Sequence, residues 1–98
     1  MDLFFDRILA DDRIVLNNKN YRVVTVHVNK SFRVETCVIP LDSAGKMICG
    51  DSRNPRVGWY ESRSEADALN YHNKWVAGEL NLNSPRSERI SYEGKQLS

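Results

Sequence analysis

The chain has 98 residues, a formal net charge of +1 and a hydrophobic fraction of 41%. This length suits one small domain and is too short for two, and the ordinary balance of apolar and charged residues predicts a packed core rather than disorder. A net charge so near zero argues against a general polyanion binder. The charge is uneven, because residues 13–56 carry eight Lys or Arg against three acids, whereas residues 1–12 and 57–80 are acidic.

Two features of the chain bear on its compartment. No stretch approaches the roughly 18 apolar residues that a membrane helix requires, and the acidic start of the chain lacks the basic region of a secretory signal. We therefore expect a cytoplasmic protein without membrane contact. In that compartment Cys37 and Cys49 are expected to be free thiols and not a disulfide.

The first predicted element is a short helix at residues 2–10. Asp2 is a suitable N-cap, and Phe5, Ile8 and Leu9 recur at helical spacing. A helix of this length is marginal in isolation, so it is expected to dock on the rest of the domain.

From Arg13 onward the chain shows the period of two that is typical of β-strands. The predicted long strands are residues 13–16, 21–28 and 32–40, separated by the turn-forming segments NNKN and NKS. The first turn is compatible with either parity. For the second, a three-residue loop at 29–31 pairs Val28 with Phe32 and Val26 with Val34, so the apolar sides of both strands coincide. This register turns four residues to solvent: Tyr21, Val23, Thr25 and His27.

The strongest helix signal follows a last short strand at residues 57–60. Ser62 and Glu65 have the S-x-x-E spacing of a capping box, which predicts a helix at residues 63–77. Its apolar stripe is assigned to Ala66, Leu69, Val76 and Leu80, with His72 or Asn73 between them. His72 is accordingly interpreted as a packed core histidine. The predicted core is Val24, Val26, Val28, Phe32, Val34, Val38, Leu69 and Val76.

The predicted fold is α+β, with a three- to four-stranded antiparallel sheet packed by one main C-terminal helix and a short N-terminal helix. Residues 1–80 form the single domain. Residues 81–98 are a polar tail that is either extended, as an edge strand near Ile90 and Tyr92, or mobile.

The residue types that carry chemistry do not occur at catalytic or metal-binding spacings. His27, Cys37, Cys49 and His72 include no C-x-x-C or H-x-x-x-H pair, so no metal site is expected. The chain has no G-x-S-x-G motif and no phosphate-binding glycine loop. We therefore expect a protein that is not an enzyme and needs no cofactor.

Two binding hypotheses follow from the aromatic and basic residues. Trp59 and Tyr60 are neighbours in a predicted strand, so one ring faces the core and the other faces away, and an exposed aromatic beside Arg56 has the composition of a protein–protein hot spot. The candidates for protein binding are Trp59, Tyr60, Arg56, Arg33 and His27. The alternative is a nucleic-acid-binding sheet face that uses Arg22, Lys30, Arg33 and Tyr21.

A run of motifs across residues 34–76 resembles small bacteriophage-encoded proteins of unknown function. The matching pieces are a strand E-T-x-V-x-P, a D-x-x-G turn and a Y-x-S-x-x-E-A entry into a helix that carries a histidine. The residues concerned are Glu35, Thr36, Val38, Pro40, Asp42, Gly45, Tyr60, Ser62, Glu65, Ala66 and His72. The resemblance implies a non-enzymatic module that binds and modulates a host protein, or an accessory phage factor. An exposed sheet edge or the phenylalanine-rich N-terminal segment would also suit a homodimer.

Overall fold

The computed structural model describes residues 5–28, 33–46, 56–92 and 95–96. Its elements are, in chain order, β1 (Phe5–Leu16), β2 (Lys19–Val28), β3 (Val34–Pro40), β4 (Gly58–Ser62), α1 (Glu65–Val76), α2 (Arg86–Arg89), β5 (Ile90–Tyr92) and β6 (Lys95–Gln96). The strands form one sheet in the order β1 to β6. Neighbours from β1 to β4 are antiparallel, β5 runs parallel to β4, and β6 pairs antiparallel with β5. The predicted α+β class, with four antiparallel strands packed against one main helix, is confirmed.

The N-terminal helix predicted at residues 2–10 is wrong for the part of that segment that the structure describes. Residues from Phe5 onward belong to β1, a 12-residue strand at the sheet edge, while residues 1–4 lie outside the described ranges. The physical reason is that pairing with β2 supplies backbone partners along the whole strand, whereas an isolated two-turn helix is marginal. Register shifts between Phe5 and Arg7 and between Ile8 and Ala10 also show why a strict period of two is missing there.

A two-residue turn joins β1 to β2. Leu16 pairs with Lys19, and the two residues between them, Asn17 and Asn18, have φ angles of 51° and 65°. Two successive positive φ values define the type I′ turn, whose twist matches that of the flanking strands. Asparagine tolerates this conformation better than most residues, which explains the paired asparagines and settles the parity of the turn.

Replacing Asn18 by glycine is expected to raise the free energy of unfolding by about 0.5–1 kcal/mol, because glycine adopts a positive φ without steric cost and Asn-Gly is the preferred type I′ pair. Chemical denaturation measures the effect. The control is Asn20→Gly, which makes the same chemical change within β2 and should lower stability. A loss of stability in both variants would contradict the assigned turn.

The β2–β3 hairpin has the opposite parity to the one predicted. His27 pairs with Val34, Thr25 with Thr36 and Val23 with Val38, so an even number of residues separates each pair. The predicted pairs of Val28 with Phe32 and Val26 with Val34 are therefore wrong.

The consequence is that β2 is turned over relative to the prediction. Tyr21, Val23 and Thr25 are buried under α1, whereas Val24 and Val26 point to the other side and are half-buried. Of the predicted core, Val34 and Val38 are buried, and Val76 is 44% exposed. Val28 and Leu69 are half-buried, and Phe32 lies outside the described residues. The buried hydrophobic residues are Tyr21, Val23, Val34, Val38, Leu41, Ala68, Tyr71, Trp75, Leu80 and Ile90.

Helix α1 agrees with the predicted helix within two residues at its start and one at its end, but its cap and its buried side differ. Ser64 is the N-cap, and its hydroxyl accepts a hydrogen bond from the Asp67 amide at 3.1 Å. Ser62 instead accepts from the Ser64 amide at 3.0 Å, so the predicted capping box of Ser62 and Glu65 is wrong.

The buried side of α1 consists of Ala68, Tyr71, His72 and Trp75. The predicted stripe contained Leu69 and Val76 instead. Burial of Tyr71 and Trp75 removes more apolar surface from water than burial of those two aliphatic residues, and this favours the observed rotation of the helix. His72 is fully buried, as predicted for a core histidine.

The segment after α1 returns to the sheet. Of the two alternatives for the C-terminal residues, the extended one holds at Ile90–Tyr92, which form β5 beside β4. Arg89 anchors this segment, because its guanidinium donates to the carbonyls of Ser84 at 2.9 Å and Val57 at 2.8 Å. The Tyr71 hydroxyl donates to the Arg89 carbonyl. Neither helix in the described part of the chain is long and apolar enough to span a membrane.

Candidate functional site

The sheet has one face that α1 packs against and a second face, which we call the uncovered face. By strand register, its members include Ile8, Asp11, Arg13 and Val15 of β1, Arg22, Val24 and Val26 of β2, Glu35, Cys37 and Ile39 of β3, and Trp59 and Glu61 of β4. Within the described ranges, no helix packs over its centre on β2 and β3, since α1 lies on the other side and α2 contacts β4 and β5.

Apolar side chains occupy the middle of the uncovered face. Val24, Val26 and Ile39 are half-buried. At the β1 edge, Ile8 is 45% exposed and Val15 is 65% exposed. An apolar patch on a sheet face, with no described helix packed over it, is typical of a surface that binds another molecule.

One end of this face holds an ordered aromatic cluster around Glu35. Oε1 of Glu35 accepts hydrogen bonds from Trp59 Nε1 at 2.8 Å, from the Arg56 guanidinium at 3.2 Å and from Cys37 Sγ at 3.3 Å. The Arg56 guanidinium also stacks over the Trp59 ring, 4.7 Å from its centroid. Trp59 is therefore held on both its face and its polar edge.

The charges of this face are arranged in pairs of opposite sign. Arg22 binds both carboxylate oxygens of Asp11, at 2.8 and 2.7 Å. This hydrogen bond is the main reason why the pKa of Asp11 is lowered and that of Arg22 is raised. Arg33, at the end of the sheet, donates to Glu61 at 3.0 Å. Because Arg22, Arg33 and Arg56 each bind a carboxylate, this face is mixed in charge and not a positive patch.

The structure separates the five candidates for protein binding into two groups. Trp59, Arg56 and Arg33 lie at the uncovered face through the contacts just described. Tyr60 lies on the other side, where its ring stacks on Tyr71 of α1 with centroids 5.0 Å apart. His27 is also on that side, because it pairs with the buried Val34. The prediction that one of the two adjacent rings faces the core is confirmed, and the outward ring is that of Trp59.

The nucleic-acid-binding hypothesis required an exposed aromatic ring on which bases could stack, and Tyr21 is not exposed. Tyr21 is 5% exposed and belongs to the core, on the opposite side of β2 from Arg22. A base has no access to a ring in that position. Lys30, the third basic residue of this hypothesis, lies outside the described residues.

The candidate metal ligands are dispersed. Cys37 lies on the uncovered face and His27 on the side of α1, so the two side chains do not share a face. In the ranges that the structure describes, no group of three His, Cys, Asp or Glu residues is placed to hold a metal ion. Cys49 lies outside those ranges.

Burial raises the pKa of the Cys37 thiol to about 12, and the nearby Glu35 carboxylate adds to the effect. At neutral pH its thiolate fraction is then about three orders of magnitude below that of an ordinary thiol. The prediction can be tested in a Cys49→Ser variant, in which Cys37 is the remaining thiol. We expect iodoacetamide to alkylate Cys37 far more slowly in the folded protein than in the denatured protein. The rate should rise only in strongly alkaline solution. Equal native and denatured rates would instead favour a reactive, catalytic thiol.

A second polar constellation lies between the sheet and α1, and nothing in the sequence spacing indicated it. His72 Nε2 is 2.8 Å from Oδ2 of Asp12, and Nδ1 is 2.8 Å from Oγ1 of Thr25. The Thr25 hydroxyl is 2.6 Å from that of Thr36, which donates to the carbonyl of Ala68 at 3.0 Å. Carboxylate, imidazole and hydroxyl follow one another as in a nucleophilic triad. However, Thr25 is fully buried, so its hydroxyl is out of reach of a substrate and the constellation is a structural one.

Comparisons of the chain with protein-family models, with curated proteins and with solved structures find no match in any of the three. The function is therefore inferred from the uncovered face itself.

Proposed function

We infer that the chain is a non-enzymatic protein-binding module whose contact surface is the uncovered face. The observation that carries this proposal is the combination of the half-buried apolar centre, formed by Val24, Val26 and Ile39, over which no helix of the described ranges packs, with the ordered pair of Trp59 and Arg56 at its end. Tryptophan and arginine are the residue types most enriched in protein–protein hot spots.

The ordering of Trp59 supports binding for an energetic reason. Fixing a free side chain on association costs about 0.5–1.5 kcal/mol. Trp59 is already held by Glu35 and Arg56, so much of that cost is met in the folded protein before a partner arrives. The paired charges around the apolar centre suit a protein surface of mixed charge better than a uniformly charged polyanion.

The resemblance to small bacteriophage-encoded proteins supports a narrower proposal. In that setting the partner is a host protein that the module modulates in the host cytoplasm, or a phage protein for which it is an accessory factor. The uncovered face serves either role, because its chemistry specifies a protein with an apolar, mixed-charge surface.

The experiment compares matched lysine variants on the two sides of the domain. The wild-type chain is immobilised, the protein that it captures from host lysate is identified and purified, and its affinity is measured for the wild type, Val24→Lys and Asn73→Lys. Val24 lies at the centre of the uncovered face, whereas Asn73 is exposed on α1. We expect Val24→Lys to weaken binding at least about tenfold and Asn73→Lys to leave it unchanged.

Two results would count against the proposal. If Val24→Lys, while still folded, binds the partner as tightly as the wild type does, the uncovered face is not the contact surface. If the chain instead binds single- or double-stranded nucleic acid with an affinity that falls steeply with added salt, the nucleic-acid alternative is favoured.

A further inference from the structure

We propose that Asp12, His72, Thr25 and Thr36 form a proton-dependent latch between the edge strand β1 and helix α1. The reference state has a neutral His72 imidazole and an ionised Asp12 carboxylate. The latch is complete when this pair holds one additional proton. Loss of that proton breaks one of its hydrogen bonds. This inference is independent of the proposed binding function.

The latch joins elements that are distant in sequence. Asp12 is on β1, Thr25 on β2, Thr36 on β3, and His72 and Ala68 on α1. Four contacts run in series: Asp12 to His72, His72 to Thr25, Thr25 to Thr36, and Thr36 to the Ala68 carbonyl, at 2.8, 2.8, 2.6 and 3.0 Å. Each has the length of a hydrogen bond, so each requires a proton between its two heavy atoms.

Counting protons distinguishes the two states of the chain. The hydroxyls of Thr25 and Thr36 supply one proton each, and a protonated imidazole supplies two, which makes four protons for four contacts. In that state His72 donates to Asp12 and to Thr25, Thr25 donates to Thr36, and Thr36 donates to Ala68. A neutral imidazole supplies only one, so one contact is left without a proton.

The position of the missing proton follows from Asp12. An ionised carboxylate only accepts, so the neutral ring keeps its proton on Nε2, which faces Asp12. Nδ1 must then accept from Thr25, and Thr25 must accept from Thr36. The hydroxyls reverse, and the hydrogen bond from Thr36 to the Ala68 carbonyl is lost. All this takes place where His72, Thr25 and Thr36 are fully buried, so water does not replace the lost partner.

The other ionisable groups around His72 leave this count unchanged. Tyr71 on the same helix bonds to the Arg89 carbonyl, and burial raises its pKa to about 12, so it stays protonated. The carboxylate of Asp11 accepts two hydrogen bonds from the Arg22 guanidinium. β3 contributes Val34, Thr36, Val38 and Pro40 to this side, none of which ionises, and β4 contributes Gly58, Tyr60 and Ser62. The other ionisable groups on this side include Tyr21 and His27 of β2, Arg7 of β1 and Glu65 of α1. Arg7 and Glu65 bind each other at 3.2 Å.

The proton count predicts how stability depends on pH. The hydrogen bond from Thr36 to the Ala68 carbonyl exists only while the pair of Asp12 and His72 holds the extra proton. Stability that comes from this bond is therefore lost as rising pH removes that proton. We expect the folding equilibrium constant to fall about five- to tenfold over that range, which is the typical effect of one hydrogen bond.

Two isosteric variants should remove this pH dependence by different routes. In Asp12→Asn the amide can donate to Nε2, so a neutral ring that carries its proton on Nδ1 completes all four contacts. In Thr36→Val only two contacts remain, and a neutral ring satisfies both. A merely structural role for His72 predicts loss of stability in these variants but not a change in the pH profile.

The test combines denaturation at several pH values with two-bond ¹H–¹⁵N NMR of the His72 ring, in a His27→Asn background that removes the second imidazole. We expect the pH-dependent loss in the wild type and not in either variant. The neutral ring should carry its proton on Nε2 in the wild type and on Nδ1 in Asp12→Asn. A neutral wild-type ring protonated on Nδ1, or an unchanged pH profile in the variants, would overturn the proposal. If Asp12→Asn does not fold, the Thr36→Val profile decides.

Discussion

Replacing Val23 by lysine is expected to unfold the domain, whereas the same replacement of its neighbour Val24 should leave it folded. Val23 is fully buried, in a cluster with Val38, Tyr71 and Trp75. A lysine there places an unpaired ammonium in the core, and such substitutions cost more than about 4 kcal/mol. That is comparable with the whole stability of a small domain, which starts at about 5 kcal/mol.

The control position differs only in the side of the strand. Val24 is half-buried on the uncovered face, opposite Asp11 of β1. A lysine there reaches solvent with its ammonium beside a carboxylate, and we expect a loss of no more than about 1 kcal/mol. Circular dichroism and chemical denaturation measure both variants. The register predicted from the sequence alone implies the reverse order, so a folded Val23→Lys beside an unfolded Val24→Lys would show that β2 faces the other way.

Replacing Gly58 by alanine is the second change with a large expected effect. A Cβ atom at this position would lie 2.6 Å from Cζ2 of Trp75, 2.9 Å from its Cε2 and 2.9 Å from the Tyr71 hydroxyl. Real Cβ contacts are not this short, and both rings are buried in the core, so neither can move aside freely. Overpacking of this kind typically costs about 1–3 kcal/mol, and we expect the upper end of that range.

A double-mutant cycle separates this clash from a general intolerance of alanine. In a Trp75→Phe background the fused ring that carries Cζ2 is absent, so Gly58→Ala should cost clearly less than it does in the wild type. The matched control is Gly78→Ala. Gly78 has a φ of +83° and no neighbour near its Cβ position, so its cost of about 1 kcal/mol comes from the backbone and should be the same in both backgrounds. Equal costs for Gly58→Ala in the two backgrounds would exclude the clash with Trp75.

The parts of the structure that the sequence predicted well are those decided by local chemistry. The helix at Glu65–Val76 was expected within two residues, because several good helix formers follow two serines, Ser62 and Ser64, that can cap it. The alternation of Val34 with Val38 correctly indicated the buried side of β3. The adjacent rings of Trp59 and Tyr60 had to face opposite sides of a strand, whichever side was the core.

The predictions were wrong where the sequence offered two alternative apolar sides of similar hydrophobicity for one strand or helix. β2 carries valines at the consecutive positions 23 and 24, so both sides of the strand contain apolar residues. The side of Val24 and Val26 is as suitable for burial as the side of Tyr21 and Val23. In α1 the aliphatic Leu69 and Val76 competed with the aromatic Tyr71 and Trp75. The segment from Phe5 fitted helical spacing over only a few residues, and the pairing of β1 with β2 outweighed it.

By itself, then, the sequence determined the class of the fold, the main helix and the presence of one outward aromatic ring beside Arg56. Only the tertiary structure decided which side of β2 is buried, and with it the composition of the uncovered face. The reason is that a shift of one residue in the β2–β3 register exchanges every side chain between the two faces. The contact of His72 with Asp12 was equally out of reach, because 60 residues separate them and only the packing of α1 across the sheet brings them together.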